Sequence, residues 1–175
     1  MIPWLDPHLP PHFPDTQQAL QEPNGLLAAG GELTTAWLIE AYSHGIFPWF
    51  NENEPILWWS PAPRTVLFPQ NLKINRSLRK FLRKDFYHIT TDQRFIEVMQ
   101  ACGEPRKGQP GSWISPAMIH AYTGLFNAGY AHSYECWDSD NVMVGGLYGV
   151  NIGQVFFGES MFSRANNASK CCLKA

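Results

Sequence analysis

Apolar residues recur along this chain in short blocks of two periods, separated by proline, glycine and Asn/Asp clusters. Trp37, Leu38, Ala41 and Tyr42 fall at helical spacing behind Thr34 or Thr35, either of which can cap a helix that Gly45 ends. Residues 56–59 read as a short strand, 65–68 as a second, 75–84 as a short helix capped by Asn75 or Ser77, and 87–91 as a further strand. Helical spacing returns at 94–102, and Ser115-Pro116 supplies a cap and first position for a helix that stops at Gly129. Three strand-like runs follow, 130–137, 142–150 and 152–157. Their short links, Asp138-Ser139-Asp140-Asn141 and the turn residues Asn151 and Gly153, predict an antiparallel meander. A final helix is expected from Asn167 or Ser169 to Ala175.

The pattern predicts an α+β (α/β) protein with an antiparallel-rich sheet. Five prolines among the first fifteen residues (Pro3, Pro7, Pro10, Pro11 and Pro14) fix φ and remove donors, so this stretch reads as an extended arm anchored by Trp4, Leu5 and Phe13. With the aromatic, proline-rich stretch 46–63 it makes a small N-terminal domain, residues 1–63, and residues 64–175 form a second domain.

Composition narrows the class. No apolar run approaches the roughly 18 to 20 residues needed to span a bilayer, and the N-terminus lacks a basic segment, an apolar core and a cleavage site, so the expected location is the cytoplasm. Cys102, Cys136, Cys171 and Cys172 have no CxxC spacing, and the six histidines are scattered, so neither a metal site nor a disulfide framework is expected. No phosphate-binding loop, dinucleotide fingerprint or nucleophile-base motif is present.

Charge changes the picture further. Residues 1–63 hold seven acids and no Lys or Arg, whereas residues 64–175 hold all 13 bases and eight acids, a net +5. On a helix, Arg76, Arg79, Lys80, Arg83 and Lys84 fall at i, i+3, i+4, i+7 and i+8, opposite Leu78, Phe81 and Leu82, and only Asp85 is near enough to offset them. Such a stripe fits either phosphate binding or a solvated face. Trp49, Phe50, Trp58 and Trp59 lie within eleven residues, as either a stacking platform or a small core. Glu159 follows an apolar run and stands among Gly158, Ser160, Met161 and Phe162, so it must find a donor or cation. Ligand contact and an ion pair with Arg164 or Lys170 are both open.

Several longer stretches carry a resemblance. They are Glu22 through Gly31, Gly45-Ile46-Phe47-Pro48-Trp49-Phe50, Pro55 through Pro61, Gly129 through Ser133, Gly145 through Val150, and Phe157 through Lys170. Together they resemble the leucyl/phenylalanyl-tRNA protein transferases over nearly the whole chain. The resemblance implies a bacterial cytosolic aminoacyltransferase that moves Leu or Phe, sometimes Met, from aminoacyl-tRNA to proteins beginning with Arg or Lys, marking them for N-degron degradation. It implies a small N-terminal domain joined to a GNAT-like acyltransferase domain, no metal or organic cofactor, no membrane partner, and action as a monomer. Residue by residue, it gives Glu159 the active-site carboxyl and makes Leu147 and Phe156 the aminoacyl pocket. Trp49 and Trp113 become contacts of the terminal adenosine, and Arg76, Arg79, Lys80, Arg83 and Lys84 the tRNA-binding cluster.

The chain also departs from the family. Members continue past the helix near Ser169 into further strand and helix, including an Asp-x-Gln segment, so the last strands of the sheet are expected to be missing. A catalytically impaired tRNA-binding fragment is therefore the alternative reading. A coenzyme A-dependent acyltransferase would need a pyrophosphate-binding Gly-rich turn, and Ser163 through Ala168 offers none.

Overall fold

The computed structural model describes residues 2–84, 86–105 and 112–172. Asp85, the 106–111 part of the expected loop and the 173–175 part of the expected last helix lie outside the described residues.

Among the described residues, two four-stranded sheets carry the fold. The first contains β1 (Trp4–Leu5), β2 (Leu26–Gly30), β3 (Phe47–Pro48) and β4 (Leu57–Trp59) in the order β1-β2-β4-β3, with β1 parallel to β2 and the other pairs antiparallel. The second is antiparallel throughout, with β5 (His88–Thr91), β6 (Ala131–Trp137), β7 (Met143–Ile152) and β8 (Val155–Ser163) in chain order. Five α-helices among the described residues complete a mixed, mostly antiparallel α+β fold: α1 (Thr35–Ser43), α2 (Arg76–Leu82), α3 (Phe95–Gly103), α4 (Pro116–Asn127) and α5 (Ala168–Cys172).

The capping residues do what their chemistry requires. Thr34, Asn75 and Ser115 each accept from the backbone N–H three residues on, at Trp37, Leu78 and Met118, and so satisfy donors that have no partner within the helix. Gly45, at φ 71°, turns the chain out of α1 in a conformation that residues with a Cβ rarely adopt.

Several elements differ from expectation, three of them near the site or its supports. Residues 65–68 form no strand, and Val66, Leu67 and Phe68 are 68%, 61% and 56% exposed. Pro61, Pro63 and Pro69 flank the run and remove ladder donors, so apolar residues with strand preference find no partner there. β2 is absent from the expected elements because its Leu-Leu-Ala-Ala-Gly sequence has little strand preference of its own; it is buried between β1 and β4. The last strand of the meander runs to Ser163 and not to Phe157, after a two-residue turn in which Gly153 has φ 60°. Glu159 is therefore inside β8 and not beyond it.

Packing separates the faces of the second sheet. On one face, Tyr148, Val150 and Phe162 join α1, α3, α4 and the aromatic N-terminal region in one buried cluster that includes Trp37, Tyr42, Trp58 and Tyr122. Phe13 anchors the proline-rich arm there, with ring centroids 5.5 Å from Trp37 and 4.8 Å from Trp58, while Trp4 is 69% exposed. On the other face, Cys136, Val144 and Leu147 pack with Ala168, Cys171 and Cys172 of α5, joined by Phe81 and Leu82 of α2. A Cβ at Gly145 would stand 2.7 Å from the Ala168 Cβ, so the missing side chain lets α5 lie directly on β7.

Candidate active site and nucleic-acid interface

A β-bulge aims the candidate carboxyl. Tyr148 pairs with Ser160 and Gly149 pairs with Gly158, which leaves Glu159 as the extra residue on β8. The bulge also reverses the alternation of the strand: Phe157 and Phe162, of opposite parity, both pack into the larger core cluster. Glu159 points to that same face, toward α1 and α4. Its Oε1 accepts from the Tyr42 hydroxyl at 2.6 Å and its Oε2 from the Tyr122 hydroxyl at 3.4 Å.

The two tyrosine hydroxyls stand 2.5 Å apart, and each has a single proton to give. With the Tyr42 proton on Glu159, the Tyr122 proton has its short partner in the Tyr42 oxygen. The result is a relay from α4 to α1 to β8, in which each bond polarises the next. Burial, followed by the negative charge of Glu159, holds both hydroxyls well above their usual pKa, so they stay protonated donors. Tyr148 is raised by the same two causes, and its buried hydroxyl has no hydrogen-bond partner among the described residues.

Glu159 itself is part-buried, and loss of hydration pushes its pKa up to about 7 against the opposing pull of the Tyr42 and Tyr122 hydrogen bonds and the Arg64 charge. Arg64 is thus the cation whose field reaches it, anchored by a bond to the Gly45 carbonyl at 3.3 Å and stacked over Phe47. Neither cation proposed from the sequence plays that part. Arg164 pairs with Glu104 at 2.6 Å, and Lys170 bonds Asn167. A carboxyl with a pKa near 7 exists in both forms at neutral pH, so it can accept a proton or hold an ammonium group.

The other residues singled out from the sequence fall in three places. Leu147 and Phe156 lie on the opposite face of the sheet from the Glu159 carboxyl. Leu147 pairs across the ladder with Tyr134, whose ring centroid is 6.2 Å from that of Phe156; Leu147 is 4% exposed and Phe156 41%. Trp49 is 49% exposed, with its ring 5.5 Å from Trp59, and Trp113 packs part-buried against the larger core cluster. Arg76, Arg79, Lys80, Arg83 and Lys84 are all exposed along α2 and the turn after it, and none is in an ion pair among the described residues. Their helix sits on the Leu147 face through Phe81 and Leu82. A groove of about 320 Å³ at the end of β8, lined by Ala101, Glu104, Met161 and Arg164 among others, does not include Glu159.

Local sequence does not reveal Tyr42, Tyr122 or Arg64. The tyrosines read as apolar members of helix faces, and only a polar tip that needs a partner when buried hints otherwise. A second polar cluster is equally hidden. Glu135, fully buried on β6, accepts from the hydroxyls of Thr90 and Ser133 and from the Arg94 backbone N–H, while Asp92 binds the Ser133 N–H and the His132 ring.

Fold and site define an α+β protein with a carboxyl of near-neutral pKa at a sheet edge and a cationic helix on the other face. Comparison with known proteins makes it a transferase. The model of the leucyl/phenylalanyl-tRNA protein transferase family matches residues 66–175, and that of the N-terminal domain of the same transferase matches residues 31–62. A Chromobacterium violaceum protein named leucyl/phenylalanyl-tRNA protein transferase is 60% identical over 170 residues, covering 97% of this chain and 72% of its own length. Proteins of the same name from Cellvibrio japonicus and Nitrosomonas eutropha are 59% and 63% identical, over 97% and 92% of this chain and 72% and 68% of their own lengths. The chain belongs to the leucyl/phenylalanyl-tRNA protein transferase family. Among the described residues, no helix is long and apolar enough to cross a membrane.

Proposed function

We propose that this chain transfers Leu or Phe, and also Met, from aminoacyl-tRNA to the N-terminal Arg or Lys of acceptor proteins in the cytoplasm, marking them for N-degron degradation. The observation that carries the reading is the tyrosine-held Glu159 carboxyl, with its pKa near 7, in a chain of this family. The proposed layout is a small N-terminal domain, residues 1–63, against a GNAT-like acyltransferase domain, residues 64–175.

The reaction is aminolysis of an ester. The acceptor α-amine, with an ordinary pKa of about 7.7 to 8.0, is partly neutral near pH 7, so holding it against the ester carbonyl supplies much of the rate. A new C–N bond forms and the bond from the carbonyl carbon to the ribose 3′ oxygen breaks. One proton passes from the amine to that oxygen. This chemistry requires neither a metal nor an organic cofactor. As a carboxylate, Glu159 takes the surplus proton of an acceptor that arrives as ammonium and orients the resulting neutral amine toward the ester. In this reading the donor lies on the Leu147 and Phe156 face, and the acceptor amine is held at Glu159. The terminal adenosine stacks on Trp49 and Trp113, and the acceptor stem crosses the α2 cations.

The test is transfer of labelled leucine from charged tRNA to a peptide beginning with Arg, with an Asp-initiated peptide as control. Transfer to the Arg peptide alone supports the reading, and tRNA binding without transfer overturns it. The α2 part has its own readout. Replacing Arg79 and Lys80 by Ala should flatten the salt dependence of tRNA binding by about 0.7 to 0.9 in log–log slope for each phosphate no longer neutralised, in filter-binding titrations.

A further inference from the structure

One polar pair stands apart from the relay described above. Alternation along β6 places Ala131, Ser133 and Glu135 toward the larger core, and so turns His132, Tyr134 and Cys136 to the Leu147 face. His132 is directly opposite Gly149 on β7, and Gly149 is opposite Gly158 on β8, so no side chain rises between His132 and the sheet edge along that line. The Phe156 ring fills part of the space above: a Cβ at Gly149 would stand 2.5 Å from it. Around the His132 ring there is thus an apolar surface made by Tyr134, Leu147 and Phe156.

The ring is held in one orientation. Asp92, on the turn after β5 with φ 59°, receives the Ser133 N–H on Oδ1 at 2.8 Å and faces His132 Nδ1 with Oδ2 at 2.8 Å. An ionised carboxylate only accepts, so Nδ1 carries the proton and, in the neutral ring, Nε2 carries a lone pair. The pair is one-third exposed, at 32% for His132 and 33% for Asp92. Held by the carboxylate through Nδ1 on the face that carries Leu147 and Phe156, the ring in its neutral form offers Nε2 as an acceptor, which suits a cation two bonds away from an apolar side chain.

We infer that His132, oriented by Asp92, accepts a hydrogen bond from the α-ammonium group of the aminoacyl donor whose side chain lies on Leu147 and Phe156. The inference rests on the proposed placement of the donor on that surface. His132 is then a specificity-determining residue: it distinguishes a free α-amino ester from an ester that lacks the ammonium.

The experiment compares two donors that differ at one atom, phenylalanyl-tRNA and its α-hydroxy analogue, phenyllactyl-tRNA, in transfer to the same Arg peptide. The wild-type chain should prefer the amino ester in kcat/KM by about ten- to a hundredfold, the size of one hydrogen bond to a charged group. His132→Ala should bring that ratio close to one, Asp92→Asn should lower it less, and His132→Gln, which keeps an acceptor oxygen, should restore part of it. A variant that is only partly folded loses both activities together, so the ratio reads the hydrogen bond and not stability. An unchanged ratio in His132→Ala overturns the inference. A wild-type chain that transfers neither ester overturns the underlying reading instead.

Discussion

Glu135 and Glu159 are two carboxyls on the same face of one sheet, two strands apart, and the protein treats them in opposite ways. Glu135 is fully buried and its two oxygens accept from two hydroxyls and from a backbone N–H at the start of α3, where the helix dipole also favours negative charge. Glu159, in β8, has the Tyr42 hydroxyl at 2.6 Å on one oxygen and the Tyr122 hydroxyl 3.4 Å from the other, both on the helix side, and burial lifts its pKa to about 7. A carboxylate has about four acceptor positions. One enclosed by its own fold has nothing to offer a ligand, whereas one filled from a single side keeps capacity to bind.

The widest separation between the two sites is in catalysis. Glu159→Gln removes the group that holds the amine and should lower the transfer rate by roughly a hundredfold or more, with no loss of folding stability. Glu135→Gln presents an amide N–H to donors that need an acceptor, and should lower folding stability by about 1 to 3 kcal/mol while leaving the rate per folded molecule unchanged. Single-turnover transfer and urea denaturation of both variants check the pair. Equal losses of rate would erase the distinction.

Proton linkage gives the next effect in size. The Glu159 pKa is raised from 4.5 to about 7 on folding, so between these values the native chain holds a proton that the unfolded chain has released. The stability this carboxyl contributes is therefore present in full below about pH 4.5, falls as pH rises, and is gone above about pH 7. Relative to Glu159→Gln, wild-type stability should decline by roughly 3 kcal/mol across that window, in urea titrations at several pH values. A difference that stays flat with pH would place the carboxyl in ordinary solvent.

Much of the frame is legible in the sequence alone. Caps such as Thr34, Asn75 and Ser115 act within three residues, so local sequence specifies them, and the cationic stripe of α2 follows from helical period alone. The strand expected at 65–68 does not form because strand preference describes packing against neighbours, and that segment has none. Glu159 is visible as a carboxyl in apolar company. Its partners are not, since Tyr42 and Tyr122 are 117 and 37 residues away and meet it only because a bulge in β8 turns one extra side chain toward the helices. The opposite orientation of Leu147 and Phe156 has the same origin: it depends on register, which composition does not encode.

The two tyrosines allow the finest cut, because their bonds to Glu159 are unequal. Tyr42→Phe removes the 2.6 Å donor and leaves the carboxyl with Tyr122 at 3.4 Å. Both hydroxyls lower the Glu159 pKa, so either deletion should raise it, and the ascending limb of the pH–rate profile should move to higher pH. The shift should be larger for Tyr42→Phe. In Tyr122→Phe the short Tyr42 bond persists and only its polarisation by the second hydroxyl is removed, which is a modest part of one bond's strength. Equal shifts would mean that Tyr122 donates to Glu159 directly and that no relay through Tyr42 exists. A shift to lower pH in either variant would mean that the hydroxyls stabilise the protonated acid and not the carboxylate, which would reverse the part assigned to them in keeping a carboxylate ready for the acceptor's proton.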